Sequence, residues 1–328
     1  MDILIILSLA LAIDLVLGEP PRATHPVVWM GKVIAFLERG GTNHRPLVQF
    51  IYGVGITLVA TGLFVAPAYF LLFYLKSLNF VAYVIIGGVL LKSAFSLKGL
   101  RQAALKVKGL LTNEELNEAR FALRSLVSRD AKNLPQPLLV SAAVESVAES
   151  TCDSFVAPLF YFLLLGVPGA IAYRIINTAD TMIGYHGQWE YLGKFAARLD
   201  DVINFLPARL TALMIVIAAW LCQKDVSGST AKPLQPSPEA KRQLSPVTGV
   251  MLRDHNKTQS PNAGWPMSAA AGGLGVQLEK TGHYKLGDNH YPLSPETIGA
   301  SLQVMAVVAL LWSLTCISVG VIRFVVTA

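Results

Sequence analysis

Three carboxylates stand at four-residue intervals in Ser141-Ala-Ala-Val-Glu145-Ser-Val-Ala-Glu149-Ser-Thr-Cys-Asp153. On a helix, positions i, i+4 and i+8 share one stripe, and like charges at that spacing repel. No Lys or Arg lies within that turn, so a cation has to gather them from elsewhere. Magnesium takes oxygen ligands and commonly bridges to phosphate, which makes Glu145, Glu149 and Asp153 candidate metal ligands. The plainer alternative is an acidic face turned to water. Against it, the segment runs directly into an apolar stretch.

Other polar groups recur in compact clusters. Asn177-Thr178-Ala179-Asp180 and Ala196-Ala-Arg198-Leu-Asp200-Asp201-Val-Ile-Asn204 offer carboxylates for a metal or an amine. The residues alone favour simple ion pairing of Asp200 and Asp201 with Arg198 or Arg209. Ser260-Pro261-Asn262-Ala263-Gly264-Trp265-Pro266, followed by Gly272-Gly273-Leu-Gly275, combines polar side chains with small residues. Such residues let backbone amides approach an anion or a large planar ligand, or simply pack closely. His25-Pro26-Val-Val-Trp29 is a polar-aromatic element with a single His, a type more often structural than catalytic. No phosphate-binding P-loop, dinucleotide fingerprint, serine-hydrolase elbow or His-Glu-x-x-His zinc motif is present.

The elements that must position these groups are apolar. Of 328 residues, 53% are hydrophobic and only 15% charged, against about 25% charged in ordinary soluble domains. Apolar runs near 3–17, 48–75, 80–97, 154–173, 206–222 and 297–322 predict an all-α polytopic membrane protein with five or six membrane segments. Asp2 and Asp14 argue against a cleaved signal in the first run, so it is expected as a retained segment. Gly166-Val-Pro168-Gly169 breaks the fourth, which reads either as a span or as a re-entrant hairpin. Between the runs lie long, partly helical polar loops, and 227–246, rich in Ser, Pro, Gln and Lys, reads as a flexible linker. Cys152, Cys222 and Cys316 form no C-x-x-C pair, which disfavours a disulfide framework or a zinc site.

The net charge of +6 comes without a basic-aromatic motif, so no nucleic-acid partner is expected. Surplus Lys and Arg in a membrane protein mark cytoplasmic loops and contacts with anionic lipid. Most of them fall in 18–47, 99–153 and 223–296. The bias places these loops in the cytoplasm and the chain in the cell membrane as a multi-pass protein.

The motifs, taken in order, resemble the adenosylcobinamide-phosphate synthase family of cobalamin biosynthesis. Asp14–Gly18 with Pro20-Pro21-Arg22 and His25-Pro26 is similar to its opening, and Ser125–Asp130 to the loop before its carboxylate helix. Glu145-Ser-Val-Ala-Glu149 through Ala157-Pro-Leu-Phe-Tyr161 is similar to its most distinctive block. Asn177-Thr178 with Asp180, Ala196–Asp201, Pro207-Ala-Arg209 and Ser260–Pro266 complete the order. Ser150 stands where the family usually has Asn, and Thr181 where it tends to have Ser.

The resemblance implies that a corrinoid propionate carboxylate is coupled to 1-amino-2-propanol or its O-phosphate at the expense of ATP. A carboxylate is a poor acyl donor until phosphorylation gives it a leaving group. Such a site needs Mg²⁺ on the phosphates, cations on the transferred phosphoryl group and a base for the amine. In this reading Glu145, Glu149 and Asp153 hold magnesium, Arg129 and Arg209 meet phosphate, and Asp130 or Asp180 serves the amine. His25, Asn177, Asp200, Asp201, Asn204, Ser260, Asn262 and Trp265 are expected in substrate binding. A solute transporter and a membrane signalling protein are the rival classes.

Overall fold

The computed structural model describes residues 2–21, 23, 25–41, 45–184, 189–225 and 244–327. Apart from one short β-hairpin they form helices: α1 Asp2–Val16, α2 Pro26–Glu38, α3 Pro46–Leu78, α4 Phe80–Ala94, α5 Leu97–Thr112, α6 Leu116–Leu123, α7 Gln136–Thr151, α8 Ala157–Ile183, α9 Lys194–Asp225, α10 Leu244–Asp254, α11 Gly264–Leu274 and α12 Pro295–Thr327. Strands β1 Leu278–Lys280 and β2 Tyr284–Leu286 pair antiparallel with Leu278 opposite Leu286. Among the described residues five helical stretches are long and apolar enough to cross a membrane: Pro46–Leu78, Phe80–Thr112, Gln136–Ile183, Lys194–Cys222 and Pro295–Val326. The protein is therefore an all-α, multi-pass membrane protein. Helix α1, at 15 residues, is shorter than the roughly 20 apolar residues a span requires. The expected linker 227–246 lies outside the described residues except for its last three, which open α10.

The chain forms two compact units. Unit 1 comprises Met1–Lys98, Asp153–Asn204 and Leu314–Ala328; unit 2 comprises Gly99–Cys152 and Phe205–Ser313. In unit 1, α1 packs on α4, and α2, α3 and α4 all pack on α8. Helix α1 ends where Gly18 takes φ +76°, and its amide donates to Ile13 O. This left-handed cap favours glycine. Lys98 Nζ then donates to the last carbonyls of α1, those of Leu15 and Val16.

The fourth apolar run is a helical hairpin. Gly166 has φ +71°, ψ −163° and interrupts α8, a conformation essentially reserved for glycine. A straight helix would separate Tyr161 from Tyr173 by about 18 Å, yet their rings stack with centroids 5.5 Å apart. Arms 157–165 and 167–183 therefore fold back on one another. Arg323 of α12 donates to Leu163 O, meeting one of the carbonyls that a helix end leaves open.

In unit 2, α7 packs against α6, α11 and β1, and α10 against α11. The stretch Leu134-Pro135-Gln136-Pro137 separates α6 from α7 and opens α7, with Pro135 extended at the cap and a proline in the first turn. Proline suits that position because the first-turn amides lack intrahelical partners.

Candidate functional site

The carboxylate stripe does not persist as one regular helix. Helix α7 stops at Thr151, and Cys152–Val156 form a π turn. That turn takes Asp153 off the four-residue spacing and into unit 1, while Glu145 and Glu149 remain in unit 2. Glu145 is buried, 4% exposed, and its oxygens are engaged. Ser141 Oγ donates to Oε1 at 2.6 Å, while Arg129 Nη2 at 2.9 Å and Tyr284 Oη at 2.8 Å donate to Oε2. The cation missing from its own turn is thus Arg129, 16 residues earlier, brought over α7 by the loop after α6. Among the described residues no group of three His, Cys, Asp or Glu side chains is placed to hold a metal, so they do not fit a resident magnesium cage.

This network also ties the hairpin to α7. Ser141 Oγ accepts from Glu279 N at 2.7 Å, and burial together with the Glu145 charge pushes the Tyr284 phenol well above its ordinary range. Arg129 keeps a buried Nε without a partner among the described residues. Asp130, next to it, accepts from Lys132 N at 3.0 Å and is exposed.

A second cluster in unit 2 joins four expected residues. Arg209 on α9 lies 3.5 Å over the Phe205 ring and 4.8 Å from the Trp265 ring centre, and donates to Asn262 Oδ1 at 3.2 Å. His255 completes the stack, 4.1 Å from Trp265. Ser260 Oγ accepts from Asn262 N and Ala263 N at the start of α11. This is a short, tight loop that presents Asn262 and Trp265 to Arg209. Behind it, Asp254 is buried. Burial raises its pKa, but Arg253, Lys257 and the Gly287 amide hold it well below the usual carboxylate range. A separate cleft in unit 2, edged by Ala148, Ala219, Gly273 and Met305 with Thr151 and Ser301 as its polar groups, is mainly apolar.

In unit 1 the second arm of α8 meets the start of α9. Asn177 Nδ2 donates to Asp200 Oδ1 at 3.2 Å and Asn204 Nδ2 to Oδ2 at 2.9 Å, while Tyr173 Oη donates to Asn204 Oδ1 at 2.8 Å. Asp200 is therefore held by amides and not by the Arg198 or Arg209 that the ion-pair alternative supposed. Asp201 does pair with Arg198, at 3.7 Å on the surface. Asp180 sits in the last turn of the same arm, its carbonyl accepting from Gly184 N.

Unit 1 also holds an ion network that sequence reading did not assemble. Lys92 Nζ, on α4, lies 2.7 Å from Glu19 Oε1 and 3.2 Å from Asp14 Oδ1. His25 Nε2 is 2.7 Å from Glu19 Oε2, and its Nδ1 accepts from Val27 N. Both ring nitrogens of His25 thus serve the protein itself, as helix cap and as partner of Glu19. Burial raises the Glu19 pKa, but hydrogen bonds from His25, Lys92 and Ser96 bring it down to about 2. A lysine within an otherwise apolar run was the available signal, since such a charge in a membrane segment requires a partner.

An apolar, multi-pass helical scaffold that buries organised polar clusters defines a membrane protein with a chemical or binding task. The CobD/Cbib protein family model matches residues 7–309. The chain is 52% identical to the "Cobalamin biosynthesis protein CobD" of Dehalococcoides mccartyi over 99% of each chain. It is 38% identical to the "Probable cobalamin biosynthesis protein CobD" of Methanothermobacter thermautotrophicus over 96% of this chain and 97% of that one. Identity to the protein of that name from Pyrococcus furiosus is 39%, covering 85% and 86%. No solved structure matches. The chain belongs to the CobD/Cbib family of cobalamin biosynthesis proteins.

Proposed function

We propose that this protein joins 1-amino-2-propanol or its O-phosphate to a propionate carboxylate of cobyric acid, with ATP supplying the leaving group. The observation that carries this reading is where the buried polar groups lie. Among the described residues they include Glu145, Asn177 and Asn262, each within a motif that the family resemblance singled out. The full-length relatives support the corrinoid as substrate.

In the reaction the corrinoid carboxylate oxygen attacks the γ-phosphorus of ATP and ADP leaves. The amine nitrogen then attacks the acyl carbon and inorganic phosphate departs with the former carboxylate oxygen. Arg129 and Arg209 are the cations assigned to the phosphoryl group, because a planar guanidinium matches phosphate oxygens. Asp130 or Asp180 takes the proton that the amine must lose. Magnesium enters as the counter-ion of the nucleotide, without a three-carboxylate cage of its own.

Purified protein in detergent, given cobyric acid, the amine or its phosphate, ATP and Mg²⁺, should yield cobinamide or its phosphate, read by mass spectrometry, with stoichiometric ADP. No product with either amine would refute the ligase reading and leave a transporter or signalling role.

A further inference from the structure

Arg174 belongs to none of the networks described so far. It lies on the second arm of the α8 hairpin, directly after the stacked Tyr173. Its Nε is buried and has no hydrogen-bond partner among the described residues. The acidic groups that act on it through space are Tyr173, Asp153 and Glu19, all in unit 1. Glu19 is already engaged by Lys92 and His25, so it is not left over to satisfy a second cation. The other arginines near expected site residues are differently placed. Arg129 is paired with Glu145, and Arg209 sits between two rings beside Asn262.

A buried guanidinium N–H left without a hydrogen bond is costly, because its desolvation is not returned by a contact. Within membrane segments such charges persist where a ligand or pathway uses them. The planar fork of arginine matches the oxygens of a phosphate better than any other side chain does. Hairpin geometry fixes the position: the fold-back at Gly166 brings the second arm, with Arg174, to the region of the π turn that carries Asp153. Carboxylate charge close by favours a phosphate that brings its own cation. An aminoalkyl phosphate does so through its ammonium group, and ATP through its magnesium.

We propose that Arg174 anchors an oxyanion site in unit 1 that takes a phosphate group of one of the substrates. This assignment rests on the ligase reading for the identity of those substrates, though not for the site itself. The phosphate has two sources, the O-phosphate of the amino alcohol and ATP, and direct binding separates them.

Full-length protein in detergent is titrated calorimetrically, without corrinoid so that no turnover occurs, against 1-amino-2-propanol O-phosphate, MgATP and unphosphorylated 1-amino-2-propanol. Arg174→Gln should weaken one of the two phosphate ligands at least tenfold and leave the unphosphorylated amine unchanged. Arg174→Lys, which keeps the charge and loses the fork, should fall between. If both phosphate ligands bind Arg174→Gln within twofold of wild type, the proposal is overturned. If Arg174→Gln does not accumulate, Arg174→Lys decides, and wild-type affinity for both ligands overturns it equally. A wild-type protein that binds phosphate through Arg174 but forms no amide would keep the oxyanion site and remove the ligase reading.

Discussion

A carboxylate among apolar helices is tolerated only in company, and Glu19 shows how that company sets its behaviour. His25 and Lys92 each occupy one of its oxygens, and its pKa falls from 4.5 to about 2 in the folded protein. A value depressed on folding means that the ionised form stabilises the native state. That contribution is complete above about pH 4.5 and is lost as pH falls toward 2, amounting to at most about 3 kcal/mol. Replacing Glu19 by Gln should therefore lower the thermal midpoint near neutral pH. The gap from wild type should narrow as the pH of the detergent solution is taken from 5 to 3. A gap that stays constant over this range would mean that the charge of Glu19 contributes nothing. Glu145 in unit 2 is also partnered by a cation, Arg129, which comes from a loop and not from a neighbouring helix.

At the scale of elements the decisive feature is the turn at Gly166. In a cysteine-free background, cysteines placed at Tyr161 and Tyr173 should be joined readily by a short bifunctional thiol reagent, since the native rings stack at 5.5 Å. A continuous helix would hold the two positions about 18 Å apart and prevent the link. Gly166→Ala should weaken the link and destabilise the protein by about 1–3 kcal/mol, the usual cost of forcing a side chain into such backbone. The sequence contained half of this result. Gly166, Pro168 and Gly169 marked a break, but the pairing of Tyr161 with Tyr173 depends on packing that no local pattern encodes. The π turn at Cys152–Val156 was invisible for the same reason. The apolar runs themselves were legible because hydropathy acts residue by residue, and so was the α7 helix that carries Glu145 and Glu149. What spacing could not convey was that Arg129 reaches over α7 from 16 residues away, or that Lys92, Glu19 and His25 converge. Asp200 is instructive in another way. Sequence proximity pointed to Arg198, whereas the fold supplies Asn177 from a different helix.

At the scale of the whole molecule, charge distribution yields a topology that labelling can check. The Lys and Arg bias of the loops predicts that 113–135, between α5 and α7, faces the cytoplasm, and that the α3–α4 turn at 77–79 faces outward. Single cysteines at Glu118 and Ser77, both exposed positions, should differ accordingly. In intact cells an impermeant maleimide should modify Ser77→Cys and spare Glu118→Cys until the membrane is opened. The reverse pattern would invert the assignment and would place Arg129 and Asp130 on the side without cytosolic ATP.

Unit 1 draws on three separate stretches of chain, and its last contribution is Leu314–Ala328. There Gly320 lies so close to α1 that an added methyl would meet the Leu4 side chain, and Arg323 closes a carbonyl at the tip of the α8 hairpin. At a ribosomal pace of about 5–20 residues per second, Leu4 waits roughly a quarter of a minute to a minute for that partner to be made. During that interval the nascent chain has the membrane and its insertion machinery as neighbours in place of α12. Assembly of unit 1 is consequently a late, post-insertional event, and a message truncated before residue 314 leaves both α1 and the hairpin tip uncovered.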